Sequence, residues 1–211
     1  MFHNPPELGH CANLSGFHKP AIAAHHDGVA DLIVVTGPPG SGKSTVAPLL
    51  SRMFTASAVV AGDDFFSFID QGYLQPWTAE ADQQNETVAE AAAAAAGRLS
   101  IGGYTVVYDG LLAPGFLERF RVATGLSSLH YAVLLPPEQH CVDRVRSRAG
   151  HGFTDLPATR QMYRDFAEAD LAPNHLITST ADPAHLASTI FELVHAGVIV
   201  RAADAPPTAL D

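Results

Sequence analysis

The sequence predicts an α/β protein with one main domain, in which a five-stranded parallel sheet lies between layers of helices. Short, continuously apolar segments alternate with longer segments that suit helices. Strands that are apolar on both faces are typical of a parallel sheet covered on both sides. A chain of 211 residues with 47% hydrophobic content is also sufficient for one core of ordinary size.

The predicted elements follow one another from Asp31 to His195. The five strands are predicted in the segments DLIVVTG, ASAVVAG, YTVVYDG, LHYAVLLPP and NHLITST. Helices are predicted over 43–54, 80–100, 114–123, 138–148, 157–169 and 182–195. Residues 1–29 are rich in Pro, His, Gly and Asn without any period, so we expect a flexible N-terminal arm there, the domain over 30–200 and a flexible tail over 201–211.

Composition and charge disfavour several classes of function. The formal net charge is -10, with two lysines and ten arginines, so general electrostatic binding of nucleic acid is not expected. Cys11 and Cys141 are too few and too far apart for a disulfide framework or a metal knuckle. No segment has the length and hydrophobicity of a membrane span. We expect a cytoplasmic protein that binds neither nucleic acid nor membranes, with its oligomeric state left open.

The segment GPPGSGKS follows the first predicted strand and opens the first predicted helix. It matches G-x-x-x-x-G-K-[ST] in the context that this phosphate-binding motif requires. Glycines let backbone N–H groups surround phosphate oxygens, the helix N-terminus adds partial positive charge, and Lys43 supplies a mobile charge. The predicted nucleotide-binding residues are Gly37, Pro38, Pro39, Gly40, Ser41, Gly42, Lys43, Ser44 and Thr45. The motif therefore predicts the P-loop NTPase fold, a three-layer sandwich that binds ATP with Mg²⁺.

A second acidic residue is predicted at the same edge of the sheet. The strand TVVYDG ends at Asp109, in the manner of a Walker B strand whose carboxylate reaches Mg²⁺ or its water. The alternative is an aspartate that only begins a turn before Gly110. We predict Ser44 and Asp109 as the metal ligands.

Together, TGPPGSGKST, AGDDFF, VVYDG and the arginine-bearing helix resemble the small P-loop kinases. This group of AAA-type P-loop phosphotransferases contains chloramphenicol phosphotransferase, gluconate kinase, shikimate kinase and the kinase half of polynucleotide kinase. The resemblance covers roughly residues 31–195 and implies the strand order 2-3-1-4-5. It also implies an aspartate after the second strand that orients or deprotonates the acceptor hydroxyl.

The adjacent Asp63 and Asp64 are both candidates for that catalytic base. In the implied strand order, the second strand lies two places from the P-loop strand, about 10 Å away, and a γ-phosphate with a hydroxyl acceptor fits that gap. We expect one aspartate to act on the acceptor and the other to cap the following helix. The alternative is that both serve only in a cap or turn.

Half of the arginines fall within 21 residues of an acidic chain. In the kinases that the sequence resembles, a lid carries arginines that neutralise charge on the transferred phosphoryl group. Arg144 and Arg148 share a predicted helix face before a glycine-containing loop, so we predict a catalytic role for both. Arg160 and Arg164 form another i,i+4 pair and are either a further contact or solvated helix charges, whereas Arg146 faces elsewhere.

Aromatic residues are concentrated just after the acidic pair. Beside a catalytic carboxylate they favour a ring-bearing or apolar acceptor over a bare sugar acid, although most are expected to pack in the core. These residues are Phe65, Phe66, Phe68, Tyr73 and Trp77. The later segment TSTADP resembles the adenine-binding loop of these kinases, with Pro183 as a stacking partner; the alternative is an N-cap at Asp182.

These observations predict an ATP- and Mg²⁺-dependent kinase that transfers the γ-phosphate to a hydroxyl group of a metabolite or antibiotic. The alternative within enzymes is a nucleoside or nucleotide kinase. The alternative from another class is a nucleotide-binding regulatory module without an acceptor. The acidic pair and its aromatic neighbours favour a kinase, because a nucleotide-dependent switch needs no acceptor site.

Overall fold

The computed structural model describes residues 28–147 and 153–202. Within these residues one six-stranded sheet has the order β2-β3-β1-β4-β5, and β6 pairs with β4. The strands are β1 (Leu32–Thr36), β2 (Ser57–Ala61), β3 (Thr105–Asp109), β4 (Ser128–Leu134), β5 (Leu176–Ile177) and β6 (Val200–Ala202). The first five strands are parallel and β6 is antiparallel to β4. The predicted fold class and strand order are confirmed, and the structure adds β6.

Six helices cover the sheet in the described part of the chain. They are α1 (Lys43–Ser51), α2 (Asp82–Ile101), α3 (Leu117–Thr124), α4 (Glu138–Arg146), α5 (Leu156–Ala167) and α6 (Pro183–His195). Short 3₁₀ helices cover Gly62–Phe68, Ala79–Ala81, Pro114–Phe116 and Pro173–His175. None of the six helices has both the length and the apolar character needed to cross a membrane.

Each face of the sheet carries its own hydrophobic cluster. Leu32 and Val34 of β1 pack with side chains of α2 and α3, whereas Ile33 and Val35 pack with side chains of α1 and α6. All five residues of β1 are buried. The alternation of side chains along a strand explains why this segment is apolar throughout, because both of its faces are covered.

The alanine-rich helix α2 packs closely against α3. Its buried residues include Ala92, Ala93 and Ala96. A Cβ atom on Gly97 would lie 2.0 Å from the carbonyl oxygen of Thr124, so a larger residue has no room there. Gly97 therefore lets α2 approach the end of α3 closely, and the buried alanines belong to the core cluster on this face of the sheet.

The outer edge of β4 is shared by two short strands. β5 pairs in parallel with Val133 and Leu134, and β6 pairs in antiparallel with residues 128–130. The strand predicted in NHLITST is much shorter than expected, because residues 173–175 form a 3₁₀ helix. In this 3₁₀ helix the buried His175 Nδ1 forms a hydrogen bond with the Tyr131 carbonyl oxygen. Since β6 ends at Ala202, the sheet extends two residues beyond the predicted domain boundary. Most of the predicted arm and tail lie outside the described residues.

Candidate active site

The loop between β1 and α1 is packed tightly against the end of β4 and against α4. Gly37, Gly40 and Gly42 have φ angles of +145°, +82° and +103°, which side chains rarely adopt. A Cβ atom on Gly37 would lie 2.2 Å from the Leu134 carbonyl oxygen, and one on Gly40 would lie 2.3 Å from that of Cys141. No side chain caps α1 and its first turn has no acidic residue, so its N-terminus is open to a phosphate.

The predicted metal ligands lie together at the carboxyl end of the sheet. The Ser44 hydroxyl donates to Asp109 Oδ1 at 3.3 Å. Lys43 and Asp109 are only 7% and 8% exposed. Burial raises the pKa of the Asp109 carboxyl, while Lys43 and the Ser44 hydrogen bond act in the opposite direction. The turn alternative for Asp109 does not account for its burial beside Lys43.

This donor set suits Mg²⁺. Among the described residues, no cluster of three or more His, Cys, Asp or Glu side chains forms a metal site. Mg²⁺ commonly uses one or two protein oxygen ligands together with nucleotide phosphates and waters. A serine hydroxyl next to one carboxylate at the end of a phosphate loop meets that requirement.

The structure places Asp63 and Asp64 differently. Asp63 lines a cavity that also contains Lys43 and Ser44, whereas Asp64 does not line it. The Leu111 backbone N–H donates to Asp63 Oδ1 at 3.1 Å. No side chain caps the 3₁₀ helix Gly62–Phe68, so neither aspartate serves as the predicted cap.

Three hydrogen bonds to the Leu112 backbone fix the chain next to Leu111, the residue that contacts Asp63. The Leu112 N–H donates to the Thr36 hydroxyl at 2.9 Å, and the same hydroxyl donates to the Leu112 carbonyl at 3.2 Å. The buried Tyr131 hydroxyl donates to that carbonyl at 2.8 Å. Because Leu111 precedes this fixed residue, its N–H group has a defined direction toward Asp63.

We call the cavity beside Asp63 the central cavity. Its volume is about 350 Å³, which lies within the range of small-molecule pockets. It is lined by Pro39, Lys43, Ser44, Gly62, Asp63, Phe66, Tyr73, Pro76, Trp77, Asn85, Val88, Ala89, Tyr108, Leu111, Leu112, Ala113, Phe116, Phe153 and Met162. Residues of the phosphate loop and aromatic residues therefore share one cavity.

The aromatic group divides between the central cavity and other surfaces. Phe66, Tyr73 and Trp77 line the cavity, and Trp77 meets Phe153 edge to face with ring centroids 4.9 Å apart. Phe65 packs against the core, and Phe68 is 75% exposed. The expectation that most of these aromatics pack in the core is therefore wrong.

Several residues of the central cavity carry no signal in the sequence. Phe116, Asn85, Phe153 and Met162 come from elements distant along the chain, and no motif marked them. Tyr108 did have a signal, because it directly precedes Asp109 on the predicted strand. Burial, with additional effects of Asp63 and Asp109, raises the pKa of Tyr108, so its hydroxyl stays protonated at neutral pH.

Gly62 is required for contact with Tyr108. A Cβ atom on Gly62 would lie 2.1 Å from the Tyr108 hydroxyl oxygen. A side chain at this position would push the start of the 3₁₀ helix away from β3. The glycine before the acidic pair therefore lets Asp63 approach the centre of the sheet.

A second cavity, which we call the outer cavity, lies on another side of the phosphate loop. Its volume is about 380 Å³, and it is lined by Gly40, Gly42, Thr45, Val46, Arg144, Ala181, Pro183 and Leu186. Asp182 caps α6 by accepting from the Ala184 and His185 N–H groups. The capping alternative for Asp182 is thus correct, and it holds Pro183 at the cavity. Arg144 lies here rather than in the central cavity.

Three of the other arginines in this segment have side-chain partners, and one lies outside the described residues. Arg148 lies outside the described residues. Arg160 forms an ion pair with Glu138 that links α5 to α4, and Arg146 pairs with Asp143 at 3.2 Å. Arg164 donates to Gln161 on an exposed helix face. These partners favour the interpretation of Arg160 and Arg164 as helix charges.

A comparison with protein families agrees with this geometry. The family model described as an AAA domain matches residues 33–155, which is more than half of the chain. The chain belongs to this AAA-domain family. The matched segment extends from β1 to the residue before α5 and includes the phosphate loop, both aspartates after β2, and Asp109.

Solved structures show the same fold for this AAA-domain chain. The tunicamycin resistance protein of Deinococcus radiodurans has a TM-score of 0.61 at 17% identity, with 84% of this chain and 99% of that chain covered. A sugar kinase from Janibacter sp. HTCC2649 has 0.57 at 19% identity, with 80% and 96% covered. The Mycobacterium tuberculosis APS kinase CysC in complex with AMPPNP and APS has 0.55 at 16% identity, with 79% and 98% covered.

The predicted resemblance to small P-loop kinases is confirmed by the family match and by these structures. At such identities the structural likeness concerns the fold alone. A search of the curated proteins found no match.

Proposed function

We propose that the protein is a kinase that transfers the γ-phosphate of ATP to a hydroxyl group of a small molecule, such as a metabolite or antibiotic. One observation carries this proposal. Asp63 lines the same cavity as Lys43 and Ser44 of the phosphate loop. A phosphate donor and a hydroxyl acceptor would therefore meet in one space beside a carboxylate. The expected compartment for this ATP-dependent reaction is the cytoplasm.

The donor side would hold the triphosphate. Backbone N–H groups of residues 37–45 would bind its oxygens, and the Lys43 ammonium would neutralise phosphate charge. Ser44 and Asp109 would hold Mg²⁺, which supplies charge neutralisation at the phosphates when bound. Burial of Lys43 and Asp109 favours this role, because charge interactions are stronger where water is excluded.

On the acceptor side, Asp63 would orient the hydroxyl and receive its proton. The acceptor oxygen forms a bond to the γ-phosphorus, the bond from that phosphorus to the bridging oxygen breaks, and ADP leaves. The hydrogen bond from the Leu111 N–H occupies Asp63 Oδ1. This contact fixes the carboxylate and leaves Oδ2 as the oxygen that would face the acceptor.

The outer cavity would receive the nucleotide base. Pro183 offers an apolar contact surface, and Arg144 offers a planar guanidinium beside Gly42. The central cavity is lined by Lys43 and Ser44 of the phosphate loop and the outer cavity by Gly40 and Gly42, so a nucleotide bound to the loop would have access to both. Arg148 stays a candidate for a lid contact to the transferred phosphoryl group.

A nucleoside kinase is the second candidate. The edge-to-face pair of Trp77 and Phe153, with Phe66 and Tyr73 nearby, also suits a flat nucleobase. This reading keeps the roles of Asp63 and the phosphate loop unchanged. It differs only in the chemical class of the acceptor.

A panel of acceptors would test the proposed function. Purified protein with Mg·ATP is mixed separately with nucleosides, sugars, sugar acids and aryl alcohols, and ADP release is measured over the rate in water. We expect at least one hydroxyl compound to stimulate release, with product phosphorylation confirmed by mass spectrometry. Lys43→Met, which keeps the length of the apolar stem, should abolish the stimulation. If ATP binds and no acceptor class stimulates ADP release, the regulatory-module interpretation replaces the kinase.

A further inference from the structure

Asn85, in the first turns of α2, has one hydrogen-bonding atom that the protein leaves unused. Its Nδ2 group donates to the Pro76 carbonyl at 2.7 Å, which fixes the orientation of the side-chain amide. Its Oδ1 atom is buried and has no hydrogen-bond partner among the described residues. Asn85 lines the central cavity together with Trp77 and Phe153.

An unpaired buried acceptor is uncommon in a native protein, because burial removes water without a replacement. In a binding cavity, a ligand can supply the missing partner. A carbonyl oxygen such as Asn85 Oδ1 accepts only from an N–H or O–H group. A ligand that approaches this oxygen must therefore present a hydrogen-bond donor.

The charges around the cavity restrict the ligand further. Among the described lining residues, the charged side chains are Lys43 and Asp63. Lys43 belongs to the phosphate loop, where the proposed function assigns its charge to the nucleotide phosphates. A carboxylate on the acceptor would meet the negative charge of Asp63 instead of a free cation. The aromatic side chains that line the cavity favour an acceptor with a ring over an acceptor with a carboxylate.

We propose that Asn85 determines acceptor specificity by accepting a hydrogen bond from a second donor group of a neutral, ring-bearing alcohol. The inference rests on the proposed function, because it assumes that the acceptor occupies the central cavity. The first hydroxyl of the acceptor meets Asp63, and the second donor meets Asn85 Oδ1. The ring lies between them against the aromatic side chains.

Gln84 provides a matched control for a merely structural role of Asn85. Its side-chain amide accepts from the Leu74 N–H at 2.7 Å and donates to the Leu74 carbonyl at 2.8 Å. Gln84 and Asn85 therefore both hold the segment 69–78 against α2. Gln84, however, lines a separate surface groove and not the central cavity.

The test uses 3-hydroxybenzyl alcohol and its methyl ether, 3-methoxybenzyl alcohol, which differ in one O–H donor. Dissociation constants are measured by NMR titration of the ¹⁵N-labelled full chain with Mg·AMPPNP present. The wild type should bind the phenol about fivefold more tightly than the ether, as expected for one hydrogen bond. Asn85→Leu should remove this preference, and Gln84→Leu should keep it even if both probes bind more weakly.

Three results would overturn the proposal. Neither probe binds the wild type, the preference persists in Asn85→Leu, or Gln84→Leu loses it to the same extent. Failure of the kinase function is a separate result, because probe binding does not require phosphoryl transfer. A protein that keeps the Asn85-dependent preference but phosphorylates no alcohol would contradict the proposed function alone.

Discussion

The phosphate loop and the segment 69–78 border the same cavity, but different groups hold them in place. The phosphate loop is packed against backbone carbonyls of Leu134 and Cys141, which leave no space for a side chain at Gly37 or Gly40. The segment 69–78 is attached to α2 through the side-chain amides of Gln84 and Asn85. Its glycine, Gly72, has open space around it.

This difference separates a part of the molecule that accepts few changes from one that accepts many. A loop fixed by backbone contacts keeps its shape only with glycine at defined positions. A segment attached by two amide side chains can carry other residues as long as those hydrogen bonds remain. The phosphate loop thus has strict sequence requirements, while the segment 69–78 has few.

The largest expected effect concerns the two aspartates after β2. Asp63→Asn should lower the rate of phosphoryl transfer by about 10²-fold, the scale of a general base, with ATP affinity nearly unchanged. Asp64→Asn should change the rate by less than about threefold, since Asp64 does not line the central cavity. Steady-state kinetics on both variants compares them. Equal losses would show that the cavity does not distinguish the two carboxylates.

The next effect compares two glycines with similar backbone angles. Gly40 and Gly72 have φ angles of +82° and +80°. Gly72→Ala should lower the free energy of unfolding by about 1 kcal/mol, because alanine is strained in the left-handed conformation. Gly40→Ala also places its Cβ against the Cys141 carbonyl, so it should lower the free energy of unfolding by at least about 2 kcal/mol more. Urea denaturation of both variants measures the difference. Similar losses would mean that the phosphate loop is no more constrained than the segment 69–78.

Arg144 should have a smaller effect, and on nucleotide binding. Because it lies in the outer cavity with Pro183, Arg144→Ala should raise the KM for ATP about tenfold and lower kcat less. This outcome differs from the expectation of a lid arginine that acts mainly on the transition state. Arg146→Ala is the control, since Arg146 pairs with Asp143 on an exposed face. A fall in kcat with an unchanged KM would instead support the predicted lid role, in which Arg144 acts on the transferred phosphoryl group.

The smallest expected effect is the pH dependence of the nucleotide-free protein. Burial raises the pKa of Asp109 above its ordinary value of 3.8, so ionised Asp109 is less favourable in the folded protein than in the unfolded chain. This penalty is complete above the raised pKa and disappears below pH about 4, where both states hold the proton. Asp109→Asn should therefore raise the free energy of unfolding near neutral pH, and the gain should shrink as the pH falls.

Urea titrations of the wild type and Asp109→Asn between pH 4 and 8 would measure this effect. The same variant should lose the additional stability that Mg·ATP gives to the wild type. A variant that is less stable at neutral pH without nucleotide would show that the attraction between Asp109 and Lys43 outweighs the cost of burial.

The donor side could be predicted from the sequence because its chemistry is local. Gly37, Lys43 and Ser44 lie within one motif between a strand and a helix, and the strand that ends at Asp109 continues to the same sheet edge. Backbone geometry in such a motif follows from consecutive residues. The contact between Ser44 and Asp109 agrees with this expectation.

The acceptor side could be predicted only in part, because it is assembled from distant segments. The sequence did not indicate which of Asp63 and Asp64 lines the cavity, because this depends on the direction of a 3₁₀ helix against β3. Asn85 stands in a polar run, DQQNE, that is typical of an exposed helix start. Phe153 and Met162 reach the cavity from beyond α4. Their roles follow from tertiary packing that no local pattern encodes.

The shared outer edge of β4 has a consequence for how copies of the protein behave in concentrated solution. The open edge of a sheet is a template on which another chain can add a strand, and such additions lead to aggregates. Here β5 and β6 together cover β4, and the Ile199 carbonyl also accepts from the Tyr131 N–H. The strands that now form the margin contain only two and three residues. The row of unpaired N–H and C=O groups on this side is therefore too short for another chain to add a strand and begin a fibril.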